Sequence, residues 1–244
     1  MNPRITLATA GRILSQLRHD HRTVALMLVV PCVLIGLLAW IFADSPAPVF
    51  DSIGASLLGV FPFVIMFIVT SVSTLRERTG GTLERLMTTP LGKGDLMVGY
   101  ALAFGLVAIV QSIVATAFAI WVCGLDIKGP VWILTAIALL DALLGTALGL
   151  LASGFARTEF QAVQFMPAFV LPQFLLCGLL VPRDQMPGFL STLSDWLPLS
   201  YAVDAMKAAT TQTAPDVWVD FAVMGAWIIV SLVLGSLTLR RRTA

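Results

Sequence analysis

Few residues in this chain combine the type and the spacing that chemistry requires. Its two histidines, His19 and His21, stand in a polar amino-terminal segment ahead of the first apolar run, so a serine–histidine pair inside a membrane is excluded. A paired-aspartate site needs two carboxylates within apolar runs, and Asp141 is the one available; no H-E-x-x-H string occurs. Cys32, Cys123 and Cys177 lie in or beside apolar runs without C-x-x-C spacing. They read as small buried hydrophobes, not as metal ligands or a disulfide framework. No catalytic residue, metal site or cofactor of its own is therefore expected. What remains is polar chemistry in an apolar setting. Asp141 and the glutamines Gln161, Gln164 and Gln173 interrupt apolar segments. The run Arg76 to Pro90, R-E-R-T-G-G-T-L-E-R-L-M-T-T-P, is the longest charged interruption in the sequence.

The elements that must position these residues are membrane helices. Hydrophobic residues make up 58% and charged residues 12% of 244 positions, with a mean hydropathy of +0.92; soluble domains carry about 25% charged residues. The sequence predicts an all-α polytopic membrane protein, one transmembrane domain over residues 1–244. A net charge of +1 offers nothing to attract nucleic acid. The polar, arginine-bearing start has no early small-residue cleavage pattern, so the first apolar run reads as a retained span.

Residues 1–22 are too polar to cross. Leu7, Ala10, Ile13, Leu14 and Leu17 recur at helical spacing against Arg12, Gln16 and Arg18, which predicts an interfacial helix with its arginines toward the headgroups. Thr23–Ala43 is uncharged and, at about 1.5 Å per residue, just spans the ~30 Å hydrocarbon layer. Further spans are expected over Ser52–Leu75, Leu96–Leu125, the stretch between Lys128 and Arg157, Phe160–Val181 and Phe221–Leu239, six in all. Pro167 and Pro172 should bend the fifth and free carbonyls that must face protein or water. Residues 182–216, rich in proline and aromatics, are too mixed to cross and predict a re-entrant or interfacial hairpin.

Twelve of the 15 lysines and arginines fall on one side of this arrangement: the amino-terminal segment, the loop over residues 76–95, Arg157 and the final arginines. Lys128, Arg183 and Lys207 fall on the other. Both termini and the charged loop are therefore expected in the cytoplasm.

Within that loop Gly80-Gly81 breaks the preceding helix, Thr82 can cap the next, Glu84 suits its first turn and Pro90 stops it. Leu83, Leu86 and Met87 would share one face of a helix of about two turns. A short helix is marginal in water, so such a face expects a partner, with a loop folded back onto the headgroups as the alternative. Asp141 would cost about 2.5–3.5 kcal/mol at a helix centre, which surrounding leucines and isoleucines at about −0.3 to −0.6 kcal/mol each offset. Gly145, Gly149 and Ser153 follow it at four-residue steps, a small-residue stripe that marks a helix contact and turns Asp141 toward protein. It reads as a carboxyl inside the bundle, with a cation or proton site as the alternative.

Arg76 to Leu91 resembles the loop signature of the type-2 family of ABC (ATP-binding cassette) transporter permeases, R-E-R-E-x-G-T-L-E-R-L-x-T-T-P-L. Gly178-Leu179-Leu180-Val181-Pro182, Met186-Pro187 and Leu197-Pro198-Leu199-Ser200-Tyr201-Ala202 are similar to that family's pattern between its last two helices. The overall likeness is to the small drug-resistance permeases of the daunorubicin type. The resemblance implies that Arg76, Glu77, Arg78, Gly81, Thr82, Leu83, Glu84, Arg85, Leu86, Met87 and Pro90 form a coupling helix on an ATPase subunit, and that residues 182–216 form extracellular re-entrant helices. Thr79 departs from the usual second acid, Gly80 from a frequent serine and Cys177 from a common serine.

With no G-x-x-x-x-G-K-[ST] phosphate loop in the sequence, the resemblance implies that ATP and Mg²⁺ bind a partner ATPase subunit, present in two copies beside a second permease chain, identical or homologous. The implied setting is a prokaryotic inner membrane, and the implied function export of a hydrophobic drug-like or lipid substrate, with polysaccharide or glycolipid export as the alternative. An ATP-independent secondary transporter would call for inverted repeats, and spans one to three share no obvious motif with four to six. The family's substrate path between the second and fifth spans implies candidate lining residues Phe63, Phe67, Phe165 and Phe169, which from their spacing alone read as lipid-facing or packing residues. Gln161, Gln164, Gln173 and Asp141 join them because amides and acids avoid lipid.

Overall fold

The computed structural model describes residues 2–45, 49–80 and 92–238. Among them there is no strand. The helices in chain order are α1 (Pro3–His19), α2 (His21–Ile41), α3 (Val49–Thr79), α4 (Lys93–Trp121), α5 (Val131–Ser153), α6 (Glu159–Leu176), α7 (Gly188–Trp196), α8 (Pro198–Thr211) and α9 (Trp218–Thr238).

Five of these, α2, α3, α4, α5 and α9, are long and apolar enough to cross a membrane. The six-span expectation therefore meets five such helices. The element in the place of the fifth expected span is α6, only 18 residues with Glu159, Gln161, Gln164 and Gln173 among them. The predicted extent to Val181 is also too long: α6 ends at Leu176, and Gly178 follows at φ +82°, a conformation that side-chain-bearing residues resist.

α3 and α5 form the centre. The stripe after Asp141 makes the contact the sequence predicts: a Cβ added at Gly145 would run into the Phe63 carbonyl oxygen, and one at Gly149 would lie 2.5 Å from that of Phe67. Backbone lies on backbone. Phe63 and Phe67 are fully buried and pack with Leu144 and Leu148 on α5. The outward faces of α2 (Leu26, Val29, Val33, Leu37), α4 (Leu102, Leu106, Ile109, Ile113) and α9 (Val230, Val233, Leu234, Leu237) are exposed and apolar at helical spacing, as lipid-facing surfaces must be.

Pro31 inside α2 offers no N–H to the Met27 carbonyl one turn earlier. Gln111 of α4 fills the vacancy, its Nε2 donating to Met27 O at 2.8 Å in a buried setting. A polar side chain at this depth is thus matched to the carbonyl freed by a neighbouring helix's proline.

The bundle has two chemically different ends. Trp40, Trp121, Trp132, Trp196 and Trp218 are all exposed at helix ends on one side, a belt of the kind found at headgroup level. At that end Arg183, in a turn at Arg183–Gln185, bonds both Asp195 and Asp204 and lies over the Tyr201 ring at 5.7 Å. Burial alone would weaken this cation; the hydrogen bond and charge of Asp204, then those of Asp195, outweigh it and raise its pKa. Tyr201 Oη donates to the Asp195 carbonyl at 2.8 Å, Ser194 Oγ to the Leu176 carbonyl at 2.7 Å, and Lys207 to the Gly178 carbonyl. Gly178 and Tyr201, singled out in the sequence, thus join Ser194 and Lys207 in holding α7 and α8 over the end of α6.

Two tests follow from this packing. Gly145→Ala should destabilise the detergent-solubilised protein by about 1–3 kcal/mol through overpacking, read as a lowered unfolding midpoint; an unchanged midpoint contradicts the α3–α5 contact. Arg183→Leu removes the shared partner of two aspartates above Cys177, a thiol with no exposure. Its labelling by a maleimide should accelerate at least about tenfold, as expected when roughly 1.4 kcal/mol or more of closure is lost. Labelling at the parental rate would mean that Arg183 does not hold the hairpin shut.

Candidate functional site

The opposite end gathers the charges. Gly81, Thr82, Leu83, Glu84, Arg85, Leu86, Met87 and Pro90 lie outside the described residues. Arg76, Glu77 and Arg78, the last turn of α3, are described, and each is tied to a different helix of the same chain.

Arg76 forms a two-pronged pair with Glu159, the first residue of α6: Nε to Oε1 at 2.8 Å and Nη2 to Oε2 at 2.9 Å. Both side chains are more than half exposed, which limits such a pair to about 0–1 kcal/mol. Arg78 turns the other way and donates to the carbonyl of Ser153, at the end of α5. That carbonyl belongs to the last turn of a helix, where backbone oxygens lack intrahelical donors.

Glu77 points inward and is 13% exposed. Arg12 of α1 grips both its oxygens, Nη1 to Oε1 at 3.0 Å and Nη2 to Oε2 at 2.9 Å. Tyr100 of α4, itself buried and stacked near Phe104, donates its hydroxyl to Oε2. Gln16, with its amide oriented to satisfy both neighbours, donates to Glu77 Oε1 at 2.8 Å and accepts from Arg12 Nη1 at 3.1 Å. Burial alone would lower the pKa of the Arg12 guanidinium. The hydrogen bond and charge of Glu77, then those of Tyr100, more than compensate and raise it.

A second acid completes the junction. Asp95, in the first turn of α4, accepts from the backbone N–H of Gly92 at 3.2 Å, the N–H of Asn2 at 2.9 Å and the hydroxyl of Thr6 at 3.1 Å. Room for this approach comes from Gly99, where a Cβ would meet Thr9 at 2.8 Å. Helix α1 is therefore fastened to α4 near its start and to α3 and α4 two turns later.

This differs from the expectation for α1. Ala10, Ile13 and Leu17 are buried, as its periodicity predicts, but Thr6 and Thr9 complete that face and Leu7 is 64% exposed. Arg12 turns into the protein to meet Glu77. Sequence periodicity classed Arg12 with the polar face because the acid it meets is 65 residues away. A tyrosine in the apolar run after Asp95 was the one visible sign that a polar group awaited a partner at that depth.

The remaining candidates fall into two groups. Asp141 is fully buried in α5, facing Gly59 of α3, where a Cβ would lie 2.8 Å from its Oδ2 and 3.3 Å from Met206 of α8. Neither oxygen has a hydrogen-bond partner among the described residues. Phe63 and Phe67 lie in the same interhelical core, away from any surface. The second group is on α6. Gln161 accepts from the Arg157 N–H at 2.8 Å and serves the helix start. Gln164 and Phe169 are exposed, Phe165 is half-buried and edge-on to Phe169 at 6.1 Å, and Gln173 is buried with its Nε2 on the Phe169 carbonyl at 3.0 Å.

The ABC-2 type transporter family model matches residues 4–210, which takes in the α1 junction, the charged segment and the hairpin. Among curated relatives, the probable multidrug ABC transporter permease YbhR of Escherichia coli is 30% identical over 152 residues, 62% of this chain and 41% of the relative. ABC transporter G family member 20 of Dictyostelium discoideum is 24% identical over 206 residues, 83% of this chain and 28% of the relative. The linearmycin resistance permease protein LnrN of Bacillus subtilis is 24% identical over 145 residues, 59% and 37% respectively. The matched regions span less than half the length of each of these relatives. With the family model covering most of its length, the chain belongs to the ABC-2 type transporter family.

Proposed function

We propose that the chain is the transmembrane permease subunit of an ATP-driven exporter, moving a hydrophobic drug-like or lipid substrate out of the cytoplasm or inner leaflet of a prokaryotic cell membrane. Family membership carries this reading, and the multidrug and linearmycin-resistance names of relatives favour a drug-like substrate. The proposed complex holds two ATPase subunits, which bind ATP and Mg²⁺, and a second permease chain. In it six helices cross, with α6 as the fifth and both termini in the cytoplasm. Support for the role of α6 is that its two ends meet opposite ends of the bundle: Glu159 pairs with Arg76, and Leu176 accepts from Ser194.

The mechanism is conformational. Closure of the ATPase subunits would act on Leu83, Glu84, Arg85, Leu86 and Met87, and through them on the end of α3, where ties to α1, α4, α5 and α6 converge. Displacement there would tilt α3 and α6 and open a cavity outward. This chain binds, orients and moves; phosphoryl chemistry stays on its partner. The exposed Gln164 and Phe169 of α6, with the half-buried Phe165, would line the path, since an exposed amide on a membrane helix calls for a partner other than lipid. Asp141, Phe63 and Phe67 stand behind that surface, inside the α3–α5 packing.

Co-purification from the native host tests the partnership. Glu84→Lys and Leu86→Asp should each abolish recovery of an ABC ATPase with the tagged chain while leaving its membrane abundance unchanged; a complex that survives both contradicts the coupling role. For the path, Gln164→Leu should shift the spectrum of toxic compounds against which expression protects cells. An identical spectrum at equal abundance removes Gln164 from the path.

A further inference from the structure

The resemblance assigns Arg76, Glu77 and Arg78 to an interface with another subunit, yet the geometry turns Glu77 away from any such interface. Its carboxylate is 13% exposed and is surrounded by groups of its own chain: the Arg12 fork, the Tyr100 hydroxyl and the Gln16 amide. A carboxylate so enclosed has no free oxygen face to offer a partner protein. We infer that Glu77 is a positioning residue that clamps α1 and α4 to the end of α3, so that the three helix ends are displaced as one body. This rests on the permease reading above for its functional meaning, but not for its geometry.

Three observations converge on it. First, the clamp is bidentate and partly desolvated, the arrangement in which removing one partner is far more damaging than loss of a surface pair, because the other charge is left buried. Second, α1 has a separate fastening to α4 through Asp95, Asn2 and Thr6. The two sites lie about two turns apart along α1, so together they fix its direction as well as its position. Third, Tyr100 and Asp95 stand on the same helix as each other, so α4 is engaged by both sites and closes the triangle. By contrast, Arg76 reaches α6 through an exposed pair. The end of α3 is thus bound firmly on the α1–α4 side and loosely on the α6 side.

The test places spin labels at Leu7 on α1 and Thr79 on α3, both exposed, in full-length chain in lipid nanodiscs with Cys32, Cys123 and Cys177 replaced by alanine. The parent should give one narrow distance distribution, and Glu77→Gln should broaden it at least twofold. The charge exchange Arg12→Glu with Glu77→Arg should restore the narrow distribution. Should the exchanged protein not be monodisperse, Glu77→Asp serves in its place and should give a width between those of parent and Glu77→Gln. A Glu77→Gln distribution as narrow as the parent's overturns the clamp. So does co-purification in which Glu77→Gln loses the ATPase as completely as Leu86→Asp, since that would make Glu77 a partner contact. If the parent chain captures no ATPase, the permease reading fails, while the distance measurement still decides the clamp.

Discussion

The close approach of α3 and α5 is the constraint on which the other contacts depend. In lipid there is little hydrophobic gain from bringing two helices together, so association rests on dispersion and on backbone proximity permitted by small residues. Gly145 and Gly149 set that proximity at Phe63 and Phe67, and the same face carries Asp141 and Gly59 opposite each other. Once α3 is seated on α5, the last turn of α3 is delivered next to the end of α5, and Arg78 can reach the Ser153 carbonyl. The positions of Arg76 and Glu77 follow from helical geometry, about 100° to either side of one another on the same turn. A contact made without charge in the membrane centre therefore determines where three charges meet their partners at its edge.

Three polar side chains of the bundle answer carbonyls on other elements. Gln111 answers the carbonyl freed by Pro31, Ser194 answers Leu176, and Arg78 answers Ser153. Each is a side chain serving a backbone oxygen that its own helix leaves open. Asp141 differs from these, with both oxygens unpartnered among the described residues and a glycine opposite. An ionised carboxylate there would bear several kcal/mol of desolvation without a compensating cation. Gly59 is the residue whose lack of a side chain gives Asp141 space.

Much of the helical framework was legible in the sequence because membrane helices announce themselves by length and hydropathy, and because glycine spacing marks helix contacts. The prolines of residues 182–216 mark the breaks between the short helices α7 and α8. The limits have equally local causes. α6 was extended past Leu176 because Cys177 to Val181 is apolar, and hydropathy carries no record that Gly178 adopts a left-handed conformation. The expectation that Arg12 faces the headgroups fails because periodicity within one helix is blind to an acid on another. Glu77 was read with its charged neighbours as part of one surface, although on a helix adjacent residues point about 100° apart. Its burial depends on α1 and α4 arriving from distant parts of the chain.

The difference between Arg76 and Glu77 decides how force would divide at this end. An exposed pair worth about 0–1 kcal/mol is broken by thermal motion often enough to let α6 part from α3; at 1 kcal/mol its open state is only about fivefold rarer. A partly buried bidentate pair with a tyrosine hydroxyl and an amide added holds against displacements that the first tie does not resist. Motion imposed on the end of α3 would then carry α1 and α4 with it and strain the junction with α6, where Leu75, Ala156 and Ala162 form a small buried cluster and Val170 packs with Phe63 and Phe67. The exposed Gln164 and Phe169 lie on that same helix. A chain fastened in this way would open beside the proposed path, because the exposed tie at the charged end and Gln164 belong to one element.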